Sequence, residues 1–366
     1  MSYFRFIVYS FAFFILLSFL SLGLIYFYDP MQIFHKSFLK EERFFGEMRL
    51  GARAIIRHYN FDSYILGTSM LQNTSAKEAN RKLGDNWVNI SPAASTTKER
   101  GIILNYLFRY QNPKTLIYSL DAFSDEVSTK PNFQLLYDES LLNDFEAYLN
   151  DRFIICTLTF SKKEKCIGKE NLETLLQWIR EEKHQKRLGG FENWIKYNPD
   201  IFKQESLKSL PQSKPVEFDL DRIDVSKEQE LLETFLLSFI KKYPNTQFHL
   251  ILPPYSRLHF KINPKAFIER KKITYWLLEQ TKDLKNVAIY GFDTLDYADD
   301  IENYAGDTIH YNIDMNSLQL DSIQNKKHIL TPDNIESYFD IFEQKIQDYD
   351  LTPLINIIKD SKILEK

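Results

Sequence analysis

The chain has 366 residues and a net charge of −4, from 46 Lys and Arg against 50 Asp and Glu. That length allows one large domain or two modest ones with ample core, and that charge gives no reason to expect a nucleic-acid partner. The 29 Phe and 21 Tyr beside only 11 Gly argue against a disordered or fibrous chain and favour a packed α/β body with short loops.

Residues 6–28 are almost wholly apolar, with Arg5 before them and Asp29-Pro30 after. About 20 such residues span a bilayer core. A cleaved signal peptide has a shorter apolar region and a small-residue cleavage site, whereas this run ends in Ile25-Tyr26-Phe27-Tyr28. Residues 1–30 therefore read as a transmembrane signal anchor. Arg5, on the short tail, puts the N-terminus in the cytoplasm and the body outside it. Residues 31–60 follow as an amphipathic linker. Phe44-Phe45, Met48, Leu50 and Ala54-Ile55-Ile56 stand among Glu and Arg, which suits a helix that packs on the body or lies on the membrane surface.

Tyr64-Ile65-Leu66 reads as the end of a short buried strand, and Gly67-Thr68-Ser69-Met70 follows it. Residues 75–83 then read as a helix, with Ser75 as N-cap and Glu78 completing a capping box. A serine that closes a strand just before a helix projects its hydroxyl at the carboxyl edge of a sheet, where open α/β folds put their chemistry. Asn73 is read either as orienting Ser69 or donating to an oxyanion, or as capping the next helix.

Four further strand-like runs are Trp87-Val88-Asn89-Ile90, Thr115-Leu116-Ile117-Tyr118-Ser119-Leu120, Gln247-Phe248-His249-Leu250-Ile251-Leu252 and Val287-Ala288-Ile289-Tyr290. They alternate with helical patterns near 97–110, 227–242, 264–281 and 333–348, which implies a parallel sheet with helices on both faces. Residues from about 125 to 225 break the rhythm. They carry a polar helix around 172–185, Gly189-Gly190 and the loop Pro211-Gln212-Ser213-Lys214-Pro215, and read as an insertion at the carboxyl edge that forms a lid or substrate wall. Cys156 and Cys166 within it either close a small loop in an oxidising compartment or stand as two thiols. Residues 351–366 read as a C-terminal tail.

Asp121 and Tyr255-Ser256 end strands at the same edge as Ser69. Asp121 either lines a pocket or serves a cap or loop, and Tyr255 and Ser256 either touch substrate or simply follow the Pro253-Pro254 stop. His249, flanked by apolar residues in mid-strand, reads as a core histidine. His35, His58, His184, His259 and His328 show no metal spacing. In Gly306-Asp307-Thr308-Ile309-His310 a carboxylate precedes a histidine by three residues, close enough to fold back onto its Nδ1. A catalytic triad needs that pair: the histidine takes the serine proton and the carboxylate fixes its tautomer.

Together, Gly67-Thr68-Ser69 and Asp307-Thr308-Ile309-His310 resemble the SGNH hydrolase superfamily, whose first block carries Gly-x-Ser and whose last carries Asp-x-x-His. Within it, Leu66-Gly67-Thr68-Ser69-Met70 and Ile251-Leu252-Pro253-Pro254-Tyr255-Ser256 look like the membrane-anchored envelope proteins of alginate O-acetylation and D-alanyl-lipoteichoic-acid biosynthesis. The resemblance spans roughly residues 60–330, and its terminal blocks are the specific part. It implies an α/β three-layer sandwich with a mostly parallel sheet, SGNH/flavodoxin-like, over residues 61–350, with Ser69, His310 and Asp307 as catalytic residues. The chain departs from the pattern at three places. Thr68 stands where Asp is usual. Ser91-Pro92-Ala93-Ala94-Ser95 replaces the second-block glycine, leaving the Ala94 backbone N–H as an oxyanion candidate. Ser119-Leu120-Asp121-Ala122 replaces Gly-x-Asn-Asp and lacks the Asn.

What the resemblance implies is a serine esterase or O-acyltransferase anchored in the cytoplasmic membrane, with its catalytic domain outside the cytoplasm. It would act on a cell-envelope glycan or acylated carbohydrate, beside a membrane-bound acyltransferase that supplies the acyl group, with no metal or organic cofactor. The rival expectation is a catalytically inactive SGNH-like subunit that binds glycan or serves an envelope complex.

Overall fold

The computed structural model describes residues 3–38, 41–128, 133–138, 140–172, 175–203, 207 and 223–361. The chain divides into two compact units. One comprises Met1–Asn60, Asn105–Gln111 and Val127–Leu175; the other Phe61–Leu104, Asn112–Glu126 and Leu176–Lys366.

In the first unit, Tyr3–Tyr28 is one 26-residue helix with an 18-residue window of mean hydropathy 2.3, none of it buried. At 1.5 Å per residue it is about 39 Å long, enough to cross a bilayer. The linker region forms the helix Met48–His58, and it packs: Met48, Ala52, Ala54, Ile55 and Ile56 are fully buried. Its Arg53 is buried too, with its guanidinium forked onto the Asp144 carboxylate and within reach of the Tyr106 hydroxyl. Cys156 and Cys166 are disulfide-bonded, their Cα atoms 5.6 Å apart.

The second unit is built on a six-stranded sheet. Its strands are β1 (Ser63–Leu66), β2 (Trp87–Asn89), β3 (Thr115–Ser119), β4 (Gln247–Leu252), β5 (Val287–Gly291) and β6 (Ile329–Leu330), in the order β2-β1-β3-β4-β5-β6. The first five are parallel and β6 is antiparallel to β5. β1 and β2 are buried along their whole length, as is usual in a parallel sheet. The order reverses between β1 and β3, so the chain leaves the sheet in opposite directions on either side of that seam. Such a reversal opens a crevice at the carboxyl ends of the strands.

The strands and helices expected from the sequence form close to their expected bounds, and the differences are informative. β6 is only two residues long and carries no readable pattern. Ile313–Asn325 is a helix that the alternation of runs did not reveal. The stretch 226–242 runs through a π-helical segment, Glu233–Leu237. The expected tail carries the helix Thr352–Ser361, with Leu354 and Ile358 in the core cluster. The insertion expected at about 125–225 is shared between the units rather than forming one body. Its polar helix is broken into a 3₁₀ turn, Trp178–Arg180, and a short helix, Glu182–Gln185, because Trp178 and Ile179 bond to the Ser69 turn instead. Residues 173–174 and the loop at 211–215 lie outside the described residues. Ser75 caps Ala76–Leu83 as expected, but the Glu78 carboxylate pairs with Lys82 and accepts from Ser317.

Candidate active site

β1 ends at Leu66, and the chain must turn sharply under the neighbouring strand end. Gly67 permits this: a Cβ there would sit 2.6 Å from Ser119 Oγ and 2.9 Å from Leu71 Cβ. Thr68 is extended and caps the short helix Ser69–Gln72, its hydroxyl accepting from Met70 N. From Ser63 to Thr74 only Ser69 is not buried. As the first residue of its helix, Ser69 has a backbone N–H with no acceptor within the helix.

Ser69 Oγ lies 2.8 Å from His310 Nε2. His310 Nδ1 lies 2.7 Å from Asp307 Oδ2. The other Asp307 oxygen accepts the backbone N–H groups of Ile309 at 2.9 Å and His310 at 2.7 Å. A carboxylate at Nδ1 assigns the ring proton there, which leaves Nε2 to accept from the serine hydroxyl. The loop carrying the pair is itself held. Gly306 supplies a φ of 84°, Ala305 N donates to His310 O at 2.8 Å, and Thr308 O accepts from both Ser256 N and Ser256 Oγ.

The electrostatics follow from this chain. Burial works against a charge on His310, but the hydrogen bond and negative charge of Asp307, with a further contribution from Asp121, hold the imidazole above the ordinary histidine range. For Asp307, burial pushes the carboxyl up, and His310 together with the two N–H groups holds it below the usual carboxylate range.

Asp121 stands in the loop just past the end of β3. It is 5 % exposed and braces the Ser69 turn from behind. Thr68 Oγ1 donates to it at 2.6 Å and Ser119 Oγ at 2.7 Å, while Ser119 Oγ accepts Thr68 N at 3.2 Å. Behind it lies Arg100, fully buried, whose guanidinium donates to the Asp121 and Ser95 carbonyls, the Tyr118 hydroxyl and, at 3.4 Å, the Asp121 carboxylate. The loop after β2 closes the other side: Ser91 Oγ accepts Gly67 N, and Ser95 Oγ donates to Gly67 O. Ala94 lies in this loop, exposed and with φ of 49°. The flanking serines Ser91 and Ser95 bond to the turn at Gly67. Ser91, Ser95 and Ser119 lie in the stretches that stand for the second and third blocks of the resemblance, but no local pattern gave them a role. Nor did one single out Arg100, which follows Lys98-Glu99 in the charged first turn of its helix.

The remaining candidates fall into place around this turn. Asn73 does not cap Ala76–Leu83, a role taken by Ser75; its side-chain oxygen accepts Ile179 N at 3.0 Å. That bond anchors the stretch bearing Trp178, whose indole N–H donates to Ser69 O at 3.2 Å and whose ring meets His310 edge-on at 5.3 Å. Tyr255 packs on His259 and Phe260 beneath the Arg270 guanidinium, and burial pushes its hydroxyl pKa up. With Asp121, Leu252 and Arg270 it lines a cavity of about 230 Å³ at the ends of β3 and β4. Ser256 serves as a helix N-cap and ties down Thr308. His249 is a core histidine bonded to the Tyr290 hydroxyl, its pKa lowered to about 4 by burial. Among the described residues no three His, Cys, Asp or Glu side chains converge as metal ligands.

No protein-family model matches the chain, and no curated protein is significantly similar to it.

Proposed function

We propose that the protein is a membrane-anchored serine esterase or O-acyltransferase of the SGNH kind, acting outside the cytoplasm on a cell-envelope glycan. One observation carries the reading: Ser69, His310 and Asp307 form an unbroken hydrogen-bonded chain at the seam where the strand order reverses. In this mechanism Ser69 Oγ attacks an ester carbonyl carbon while its proton passes to His310 Nε2. Asp307 steadies the imidazolium. The tetrahedral intermediate collapses, the alcohol leaves with that proton, and an acyl-Ser69 ester remains. Water or a sugar hydroxyl then gives its proton to His310 and attacks the acyl carbon, and the proton returns to Ser69 as it departs. Ser69 N–H is one donor available to the oxyanion.

Other features support the reading. The mostly parallel sheet, with a serine after β1 and an Asp-x-x-His after β5, agrees with a three-layer SGNH sandwich. The half-buried Trp178 puts an aromatic ring beside Ser69, a residue type that packs against sugar rings. The helix Tyr3–Tyr28 suits an anchor, and the Cys156–Cys166 disulfide suits an oxidising compartment. A membrane-bound acyltransferase as acyl donor rests on the resemblance alone.

A second reading is favoured by Asp121. It stands where the resemblance leads one to expect an amide donor, and a carboxylate only accepts. Removing one oxyanion donor costs roughly 2.7–4 kcal/mol, so the same fold could bind glycan without turnover. Labelling with a fluorophosphonate separates the two. The full chain in detergent should be labelled and the Ser69→Ala variant should not, and the wild type should hydrolyse p-nitrophenyl acetate. A folded chain that is neither labelled nor active is the binding subunit.

A further inference from the structure

The first unit presents an apolar face that its own packing does not use. On the helix Asp151–Leu158, Phe153 and Cys156 point inward. Ile154, Ile155 and Leu158 point outward, 42 %, 58 % and 68 % exposed, and Phe160 beyond them is 46 % exposed. Contiguous apolar surface of this kind is uncommon on a soluble body and marks a contact. Directly after it come Lys162, Lys163 and Lys165, all exposed, with Glu164 the one acidic residue among them. Among the described residues none of these three lysines is in an ion pair. A cleft of about 640 Å³ lies between the two sets, with Ile155 and Phe160 on its apolar side and Lys162, Lys163 and Lys165 on its basic side.

This surface is locked to the end of the N-terminal helix. The Tyr28 hydroxyl donates to Ser161 O, and its ring meets Phe160 edge-on at 5.8 Å. Tyr28 also shares a buried cluster with Cys156, Cys166 and Ile167. The disulfide closes the segment that holds Leu158, Phe160 and the lysines. The last residue of the apolar helix is thus in contact with the patch, and no flexible joint separates them.

We infer that this face lies in the bilayer interface where the N-terminal helix leaves the membrane, with Ile154, Ile155, Leu158 and Phe160 among the acyl chains and Lys162, Lys163 and Lys165 on the phosphates of anionic phospholipid. The inference rests on the reading of Tyr3–Tyr28 as a membrane span. An apolar face flanked by lysines is the makeup of an interfacial element, and juxtamembrane lysines favour anionic headgroups. A second protein on this face would need no row of lysines at its edge.

The test uses the full chain in lipid nanodiscs, with a fluorescent amino acid replacing Leu158 in one variant and Leu16, inside the apolar helix, in another. Quenching by nitroxide-bearing lipid is compared with quenching by aqueous iodide. Lipid should quench both positions. At 158, nitroxide-bearing phosphatidylglycerol should quench at least about twofold more than the phosphatidylcholine analogue, and K162Q/K163Q/K165Q should erase that difference. Lipid quenching at Leu16 with only iodide quenching at 158 overturns the inference and leaves the anchor standing. Shielding of 158 from both quenchers means that protein covers the face, and also overturns it. Equal quenching at 158 by the two lipids overturns the headgroup assignment. No lipid quenching at Leu16 removes the anchor reading itself, and this inference falls with it.

Discussion

Thr68 Oγ1 donates to the Asp121 carboxylate at 2.6 Å, which joins the residue before Ser69 to the end of the neighbouring strand. The bond spans the seam between β1 and β3, so the position of the proposed nucleophile depends on a carboxylate 53 residues beyond Thr68. Asp121 is a positioning residue in this arrangement, and its own charge is held by the buried Arg100.

Two replacements of Asp121 should therefore differ. Asp121→Ala leaves Arg100 buried without its carboxylate, and loss of one partner of a buried pair costs about 3–5 kcal/mol. A thermal melt should show a large fall in Tm. Asp121→Asn also removes the negative charge beside Arg100 but keeps one acceptor for Thr68, so it should melt between Asp121→Ala and wild type while lowering kcat more than it changes KM. Equal melting curves for wild type and Asp121→Ala would sink the bracing role.

The pH profile should report His310. As general base it must be neutral, and its pKa is raised, so the acid limb of kcat/KM should lie above the ordinary histidine value of about 6.5. Removing the negative charge in Asp307→Asn takes away what raises the pKa, so the limb should move to lower pH. The rate should also fall by roughly 10⁴, because the ring loses its assigned tautomer. A limb that stays in place in Asp307→Asn would show that another group sets it.

Trp178 has two contacts that can be separated. Trp178→Phe keeps a ring against His310 but loses the N–H to Ser69 O, a bond worth about 0.5–1.5 kcal/mol. A fall of about two- to tenfold in kcat/KM is expected. Trp178→Ala should lose more, mostly in KM if the ring also meets substrate. Hydrolysis of a small ester beside a glycan ester distinguishes these: only the glycan ester should show the KM change.

The disulfide is a stability element of the first unit. Replacing Cys156 and Cys166 by Ser reopens a short loop and should cost about 2–4 kcal/mol by the usual range for such bonds. The melting transition of wild type should drop on reduction, and that of the double variant should not respond to reductant. Ser69 labelling by a fluorophosphonate at low temperature should be unchanged, since the bond lies in the first unit and the Ser69 chain in the second.

Much of the fold was legible because strands of a buried parallel sheet are mostly apolar, so β1 to β5 stood out as runs between helical patterns. β6 did not, since Ile329 and Leu330 are only two residues paired on an edge. Asp307 and His310 were legible as a pair for a local reason: three residues let one loop close the bond. The helix expected over 172–185 failed because its propensity yielded to tertiary bonds from Trp178 and Ile179 to the Ser69 turn.

By itself the sequence determined the apolar N-terminal helix, the strand set, and a serine and an Asp-x-x-His loop each following a strand, because each depends on local pattern and spacing. Tertiary structure alone decided that Ser69 and His310 meet across 241 residues. It also decided that Asp121 braces the Ser69 turn as well as lining a cavity, that Trp178 sits on the serine, and that an apolar face is locked to Tyr28. These depend on which strand ends lie side by side and which segments pack together, and no local pattern encodes that.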